Sequence, residues 1–258
     1  MAVTAVFGAV AGAYAAARPG YPAELFEALE ELAGRRLAGA LVADVGAGTG
    51  IAARLLRDRG ARVVAIEPSE GMLAELAAAS PGVRAVRGDG NALPLRDGVA
   101  DFVIYAQAWH WTDPERAVPE FLRVLRPGGT FAAWWNLTAR EEPWAAAQER
   151  RLAAACPTYH QARARYPDGP GRDPAASPYG LPMRTAEFGW ARRVPMDVHL
   201  ANLNSKSYVA ALGPDGAAAL LAAERTALLA EFPDGVVTET YRTVLEVVRA
   251  PNGRAPRC

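Results

Sequence analysis

One lysine, Lys206, stands among 28 basic residues, and that scarcity removes several chemistries at once. A phosphate loop of the GK[ST] type needs a lysine beside its glycines, and none is there. A Schiff-base lysine for a carbonyl or pyridoxal group would have to be Lys206 itself. Cysteine is nearly as rare: Cys156 and Cys258 form neither a CxxC pair nor a disulfide framework, and the three histidines give no HExxH spacing. The expectation is a reduced, cytoplasmic setting without a metal centre. Neither sign of charge is in excess, since 28 acidic residues balance the basic ones. That removes the phosphate-neutralising surface on which nucleic-acid affinity rests. The charge-free stretch 1–17 ends in AYAAA, which mimics a signal-peptide cleavage site, but no positive charge precedes it and it is too short to span a bilayer. A retained leader is expected, with no membrane and no nucleic-acid partner.

What is present is an apolar chain of 258 residues, 51% hydrophobic, long enough to bury one large core. AELFEALEEL, from Ala23, places Leu25, Phe26, Leu29 and Leu32 on one helical face behind Pro22. Runs of β character (ALVADV, ARVVAI, VRAV, ADFVIYA, GTFAAWW) then alternate with helical runs (IAARLLRDR, EGMLAELAAA, PERAVPEFLRVL). That alternation predicts a parallel, doubly wound α/β sheet whose ligand lies at the carboxyl ends of the strands. Past Asn136 a helical stretch near 143–155 leads into a proline- and glycine-rich segment, 166–182. Two further β-like runs, TAEFGWARRVPMDV and VVTETYRTVLEVV, complete the pattern.

The most informative segment is DVGAGTG, Asp44 to Gly50, between the first strand and a helix. Glycines there bring bare backbone N–H groups and a helix N-terminus close to a ligand. Their spacing, GxGxG, differs from the dinucleotide fingerprint GxGxxG and favours a nucleoside without a pyrophosphate, which argues against a nicotinamide oxidoreductase. Glu67 ends the second strand, where an acid can accept hydrogen bonds from ribose hydroxyls.

These pieces, with VVAIEPSEGML, VRGDGNALPLRDGVADFVIYAQAWHW, FLRVLRPGGTFAAWWN and YAAARPGYP, resemble the class I S-adenosylmethionine-dependent methyltransferases. The likeness is to the UbiE-like, type 11 small-molecule branch, in order and spacing, from about Tyr14 to Asn136. The resemblance implies a Rossmann-like, doubly wound, seven-stranded, mostly parallel sheet with an acceptor-site cap. It divides 1–258 into an N-terminal lid and helix (1–35), a cofactor-binding core (36–136), a cap (137–183), the last strands and helices (184–250) and a tail (251–258). It implies S-adenosyl-L-methionine as cofactor and a small-molecule methyl acceptor, with O-methylation of a carboxylate or hydroxyl as the first expectation. Carbon, nitrogen or sulfur acceptors, or a cofactor-binding partner protein without turnover, are the alternatives.

By the same resemblance, Asp44 and the loop of Gly46, Ala47, Gly48 and Gly50 hold the methionine part of the cofactor. Glu67 and Pro68 meet the ribose, Met72 packs beside it, and Asp89, Gly90 and Asn91 receive the adenine. Tyr14 and Arg18 close over the cofactor, and Gln107 reaches it from the fourth strand. Tyr21, Trp109, His110, Trp111 and Asn136 face the acceptor. His110, the imidazole embedded in a motif, is the candidate catalytic residue, as a general base or by orienting a carboxylate, with a packed structural histidine between two tryptophans as the alternative. Trp144 and Tyr179 are candidate pocket walls, while His160 and His199 lie outside any motif.

Overall fold

A computed structural model describes residues 17–139, 141–166 and 179–252. Helix α1 (Ala23–Ala33) follows Pro22 and buries Leu25, Phe26, Leu29 and Ala33. It stops at Gly34, whose φ of 63° lets its N–H turn back to the carbonyls of Glu30 and Glu31. Then come β1 (Leu41–Val45), α2 (Ile51–Asp58), β2 (Arg62–Glu67), α3 (Glu70–Ala79), β3 (Arg84–Arg87) and β4 (Ala100–Ala106). A single 3₁₀ turn (Trp109–Trp111), α4 (Pro114–Val124) and β5 (Leu125–Thr138) complete the first half.

The seven strands lie in the order β3-β2-β1-β4-β5-β7-β6. β1 to β5 are parallel, and β7 (Val236–Arg249) runs antiparallel between β5 and β6 (Met183–Pro195). The seven-stranded, mostly parallel α/β sheet expected from the sequence is therefore present. Central strands are apolar at nearly every position because helices cover both faces: in β4, Ala100 to Tyr105 are all buried. Strand alternation splits neighbours between the two cores. Trp134 joins α1 and α2 on one face, with Leu25, Phe26 and Leu56, while Trp135 joins Phe121 and Val124 of α4 on the other. Strand order reverses between β1 and β4, which parts the loops at their carboxyl ends and opens a crevice.

Two sequence expectations are refined. Pro119 sits inside α4 without ending it; its position is exposed, so the carbonyl that its ring leaves unbonded can be solvated. The run TAEFGWARRVPMDV is strand only as far as Pro195, which pairs with Val236, the first residue of β7. Beyond it no strand remains to pair with, and α7 (Met196–Asn204) begins.

Helices from two separate stretches of chain, only the first of them inside the 137–183 expected to form a cap, pack together beside the sheet. Helices α5 (Pro143–Ala155) and α6 (Tyr159–Arg163) come before β6, and α7, α8 (Ser207–Ala210) and α9 (Gly213–Glu231) come after it. Leu152, Cys156 and Tyr159 of the first stretch pack against Leu203, Val209, Ala217 and Leu220 of the second. Among the described residues no helix is long and apolar enough to cross a membrane.

At the amino-terminal edge of the sheet, Asp101 ties three elements together. Its buried carboxylate accepts from the Leu41 N–H at 2.7 Å and from Arg35 at 2.9 Å, and it pairs with Arg126. Asp101→Ala leaves the Leu41 donor unmatched, and equilibrium urea unfolding is expected to show a loss of about 1–3 kcal/mol. An unchanged midpoint would assign this cluster no part in stability.

Candidate functional site

A cavity of about 530 Å³ occupies the crevice at the carboxyl ends of β1, β2 and β4. Its floor is the glycine loop. Gly46 has φ of 69°, and a Cβ there would lie 2.5 Å from the Cβ of Ala108, so only glycine lets the loop after β1 close on the loop after β4. Gly46 and Ala47 donate to the Ile66 carbonyl at 2.8 and 3.1 Å, which docks the loop on β2. Gly50, at φ of 81°, starts α2 directly from the loop.

Glu67 closes the opposite side. Its carboxylate accepts from the Gly48 N–H at 2.9 Å and the Ser69 N–H at 3.0 Å. Burial raises its pKa above the ordinary carboxylate value, against the lowering effect of those two donors. Asp44 lies behind the glycine loop, fully buried and not among the residues that line the cavity, and neither carboxylate oxygen makes a well-formed hydrogen bond. Burial, and next the negative charge of Glu67, push its pKa up to about 7, while the Ala53 backbone N–H acts in the opposite direction. Two unmatched buried oxygens are costly in the free protein.

The remaining cofactor-side residues named from the sequence also come together. Ala47, Gly48, Pro68, Met72, Asp89, Gly90, Asn91 and Gln107 all line the cavity, with Arg18 and Tyr21. Asp89 holds its own turn by accepting from the Asn91 backbone and side-chain amides at 2.8 and 3.0 Å. Asn91 in turn accepts from the Asp113 N–H at 2.8 Å, at the start of α4. Gln107 carries a positive φ of 60°, unusual for a side-chain-bearing residue and a mark of constraint at a strand end. Segment 17–21 lies across the cavity on three long-range hydrogen bonds. Arg18 donates to the Ser205 carbonyl at 3.1 Å, Arg192 to the Ala17 carbonyl at 2.7 Å, and Asn136 to the Gly20 carbonyl at 2.9 Å. Tyr14 lies outside the described residues.

On the acceptor side the structure redistributes the roles. Trp111 and Asn136 line the cavity. Trp109 does not: it is 3% exposed and packs on Tyr105, Phe131 and Tyr179 with ring centroids 5.0, 5.1 and 5.2 Å away. Tyr179, a candidate wall, is thereby a core residue. His110 is also absent from the cavity lining. The Trp135 indole N–H donates to its Nδ1 at 3.3 Å, and its ring packs against Tyr166 at 4.7 Å. Burial first, then the charges of Arg165 and Arg18, push its pKa down from 6.5 to about 3. His110 is thus a packed imidazole that accepts a hydrogen bond away from both cavities, a placement that matches the structural alternative left open by the motif.

A second chamber, about 80 Å³, opens beside the first under the cap helices, and Asn136, Thr138, Lys206 and Tyr241 line both. Trp144 is one of its walls, as expected. Its polar side was not legible in the sequence. Glu239, on β7, accepts from His199 Nδ1 at 2.8 Å, from the Tyr241 hydroxyl at 2.7 Å and from Arg192 at 2.6 Å. Burial would raise its pKa, but those three partners, His199 foremost, outweigh it and bring the value down to about 2. The tautomer of His199 follows from its neighbours: a carboxylate only accepts, so Nδ1 carries the proton, and Nε2 accepts from the Gln148 amide at 3.0 Å. Gln148 also donates to Glu224, which Arg151 holds through two hydrogen bonds of 2.7 and 2.8 Å. No spacing in the sequence links His199, Gln148 and Glu239, because they come from three separate elements.

These two perturbed groups make opposite demands on pH. The folded state holds the Asp44 proton more tightly than the unfolded chain does, so stability from this group falls as pH rises from about 4 to about 7. Asp44→Asn is expected to stabilise the ligand-free protein increasingly over that range, by most above pH 7. For His110 the folded state disfavours the proton, so stability is complete above pH 6.5 and is lost as pH falls toward 3. His110→Gln should lose less stability than the parent between about pH 6.5 and 4. Thermal unfolding of the three proteins across pH measures both, and parallel curves would overturn the assignments.

Comparison with known proteins converges on one family. Residues 43–133 match the family model described as a methyltransferase domain. An uncharacterized methyltransferase of Mycobacterium tuberculosis is 46% identical over 138 residues, covering 54% of this chain and 55% of that protein. A malonyl-[acyl-carrier protein] O-methyltransferase of Pectobacterium atrosepticum is 34% identical over 139 residues, covering 51% of each. The chain thus spans about half the length of the curated relatives it matches. Among solved structures, one described as a type II methyltransferase from Anaeromyxobacter dehalogenans aligns over 91% of this chain and 99% of its own, with a TM-score of 0.69 and 29% identity. The matched range holds the glycine loop, the strand-two acid and strands β2 to β4, and over it this chain is similar to the class I S-adenosylmethionine-dependent methyltransferases.

Proposed function

We propose that this chain transfers a methyl group from S-adenosylmethionine to a small organic acceptor, with oxygen as the receiving atom and the cytoplasm as its setting. The observation that carries the reading is one cavity lined by the glycine loop, the Glu67 carboxylate, Asp89 and Asn91, with Asp44 buried behind the loop. These residues fit the cofactor. It brings an ammonium and ribose hydroxyls, which are donors, to a site built of acceptors. When bound, the cofactor supplies a methyl carbon made electrophilic by its sulfonium.

The chain's own part is to bind, align and exclude water, because displacement at carbon needs the acceptor and leaving sulfur held in line. In this reading the loop from Gly46 to Gly50 and Asp44 hold the amino-acid end, and Glu67 takes the ribose. Asp89 and Asn91 bound the adenine, while Arg18 offers a planar fork to the carboxylate. Segment 17–21, tied down at Ser205, Arg192 and Asn136, shields the site from solvent. The acceptor enters the smaller chamber, whose 80 Å³ suits a group of a few atoms better than a polymer. Oxygen as the receiving atom draws support from the printed activity of the Pectobacterium relative.

Isothermal titration tests the binding half of this reading. S-adenosylmethionine and S-adenosylhomocysteine should both bind, and NADH should not; Glu67→Ala should cost about 1.5–3 kcal/mol of cofactor affinity. Micromolar NADH binding with no response to either sulfur compound would overturn it. An acceptor panel with labelled methyl donor tests turnover, and tight cofactor binding with no label transferred to any acceptor would favour a non-catalytic partner protein.

A further inference from the structure

Lys206, the chain's single lysine, lines both cavities at the place where they meet. Three other residues share that junction: Asn136, Thr138 and Tyr241. Asn136 has its amide committed to Gly20 and its oxygen to Thr243. The Tyr241 hydroxyl donates to Glu239, and its pKa is pushed up by burial and by that carboxylate, so it neither ionises nor takes up a proton near neutrality. Glu239 is held ionised by Arg192, His199 and Tyr241. Lys206 differs from all of these, because its amine makes no hydrogen bond or ion pair with any described residue.

The charges around it explain what state such an amine adopts. Arg18 from the N-terminal segment, Arg163 from α6 and Arg192 from β6 repel an ammonium, while Glu239 on β7 attracts one. Burial acts first and the guanidinium groups add to it, bringing Lys206 from its ordinary 10.5 to about 7. A large fraction of the amine is therefore neutral at physiological pH, the condition in which a lysine can accept a proton.

We infer that Lys206 is the base that takes the proton of the methyl acceptor, and that the acceptor is a protic nucleophile such as a hydroxyl and not a carboxylate. The inference rests on the methyl-transfer reading above. In the step it describes, the acceptor oxygen forms a bond to the methyl carbon, and the carbon–sulfur bond breaks with its electron pair passing to sulfur. The hydroxyl proton moves to Nζ, and the resulting ammonium later releases it to water. A carboxylate, ionised at neutral pH, would have no proton to give and no need of such an amine. The base role that the sequence assigns to His110 passes to a residue more than ninety positions further along the chain.

A single lysine makes the test direct. Selective carbon-13 labelling at lysine Cε yields one resonance from the folded chain, whose titration in the S-adenosylhomocysteine complex should have a midpoint near 7. In parallel, transfer of labelled methyl to a panel of a phenol, a primary alcohol, a primary amine and a carboxylic acid is followed from pH 6 to 9. Transfer to a protic member should rise through the same midpoint. Lys206→Met should lower it about a hundredfold or more, with S-adenosylhomocysteine affinity within about threefold. Lys206→Arg keeps the charge without a removable proton and should be as slow as Lys206→Met, an outcome that a purely positioning role would not produce. A midpoint above 9 in a complex that does form, Lys206→Met turnover within threefold of the parent, or transfer confined to the carboxylic acid would each overturn the inference. Failure of the complex to form at all would instead overturn the methyl-transfer reading.

Discussion

The site depends on how closely the loop after β1 approaches the loop after β4. A Cβ at Gly46 would stand 2.5 Å from that of Ala108, far inside van der Waals contact, so the two loops can meet only where the side chain is absent. That apposition draws the Gly46 and Ala47 amides onto the Ile66 carbonyl and brings Gly48 within 2.9 Å of Glu67. Three strand ends are thereby locked to one another around a cavity. The sheet supplies the crevice by reversing its order between β1 and β4, and the glycine contact gives that crevice a floor.

Buried acids are treated in two opposite ways on the two sides of the site. Asp44 and Glu67 are desolvated close together with few donors, and both are pushed toward the protonated form. Glu239 is just as buried but is surrounded by His199, Tyr241 and Arg192, which keep it ionised. The first arrangement leaves buried acceptors short of donors, at a cost to the stability of the free protein. The second is a finished scaffold, extended through Gln148 to Glu224 and Arg151, that ties the cap helices to β7. Lys206 stands between the two, under the field of three guanidinium groups and without a bonded partner of its own.

Much of the cofactor side was legible because its residues are local in sequence. Strand, glycine loop, helix and strand-end acid follow one another within Leu41 to Glu67, and the physics of a helix N-terminus and a close backbone approach depends on that adjacency. The same locality made the parallel strands readable, since short β-like runs alternating with amphipathic helices leave few topologies. The acceptor side was far less legible. AQAWHW reads as a reactive strand end, yet Trp109 and His110 pack toward Phe131 and Tyr166, while Gln107 and Trp111 face the cavity. Side-chain direction within a three-residue 3₁₀ turn is set by which neighbours need filling, and no period in the sequence records that.

By itself the sequence determined the α/β class, the position of the glycine loop between β1 and α2 and the absence of phosphate-loop and metal-cluster motifs. These follow from short-range rules: glycine where φ is positive, alternation where a strand is buried, spacing where a helix has one apolar face. Only the tertiary structure decided what stands opposite the cradle. His199, Lys206 and Glu239 lie on α7, the turn before α8, and β7, while Arg18 and Arg163 come from distant parts of the chain. The charge state of Lys206 is set by burial and by the fields of Arg18, Arg163, Arg192 and Glu239, which come from separate parts of the chain. An electrostatic environment is a property of the folded volume, and its members need share nothing in sequence except arriving in the same place.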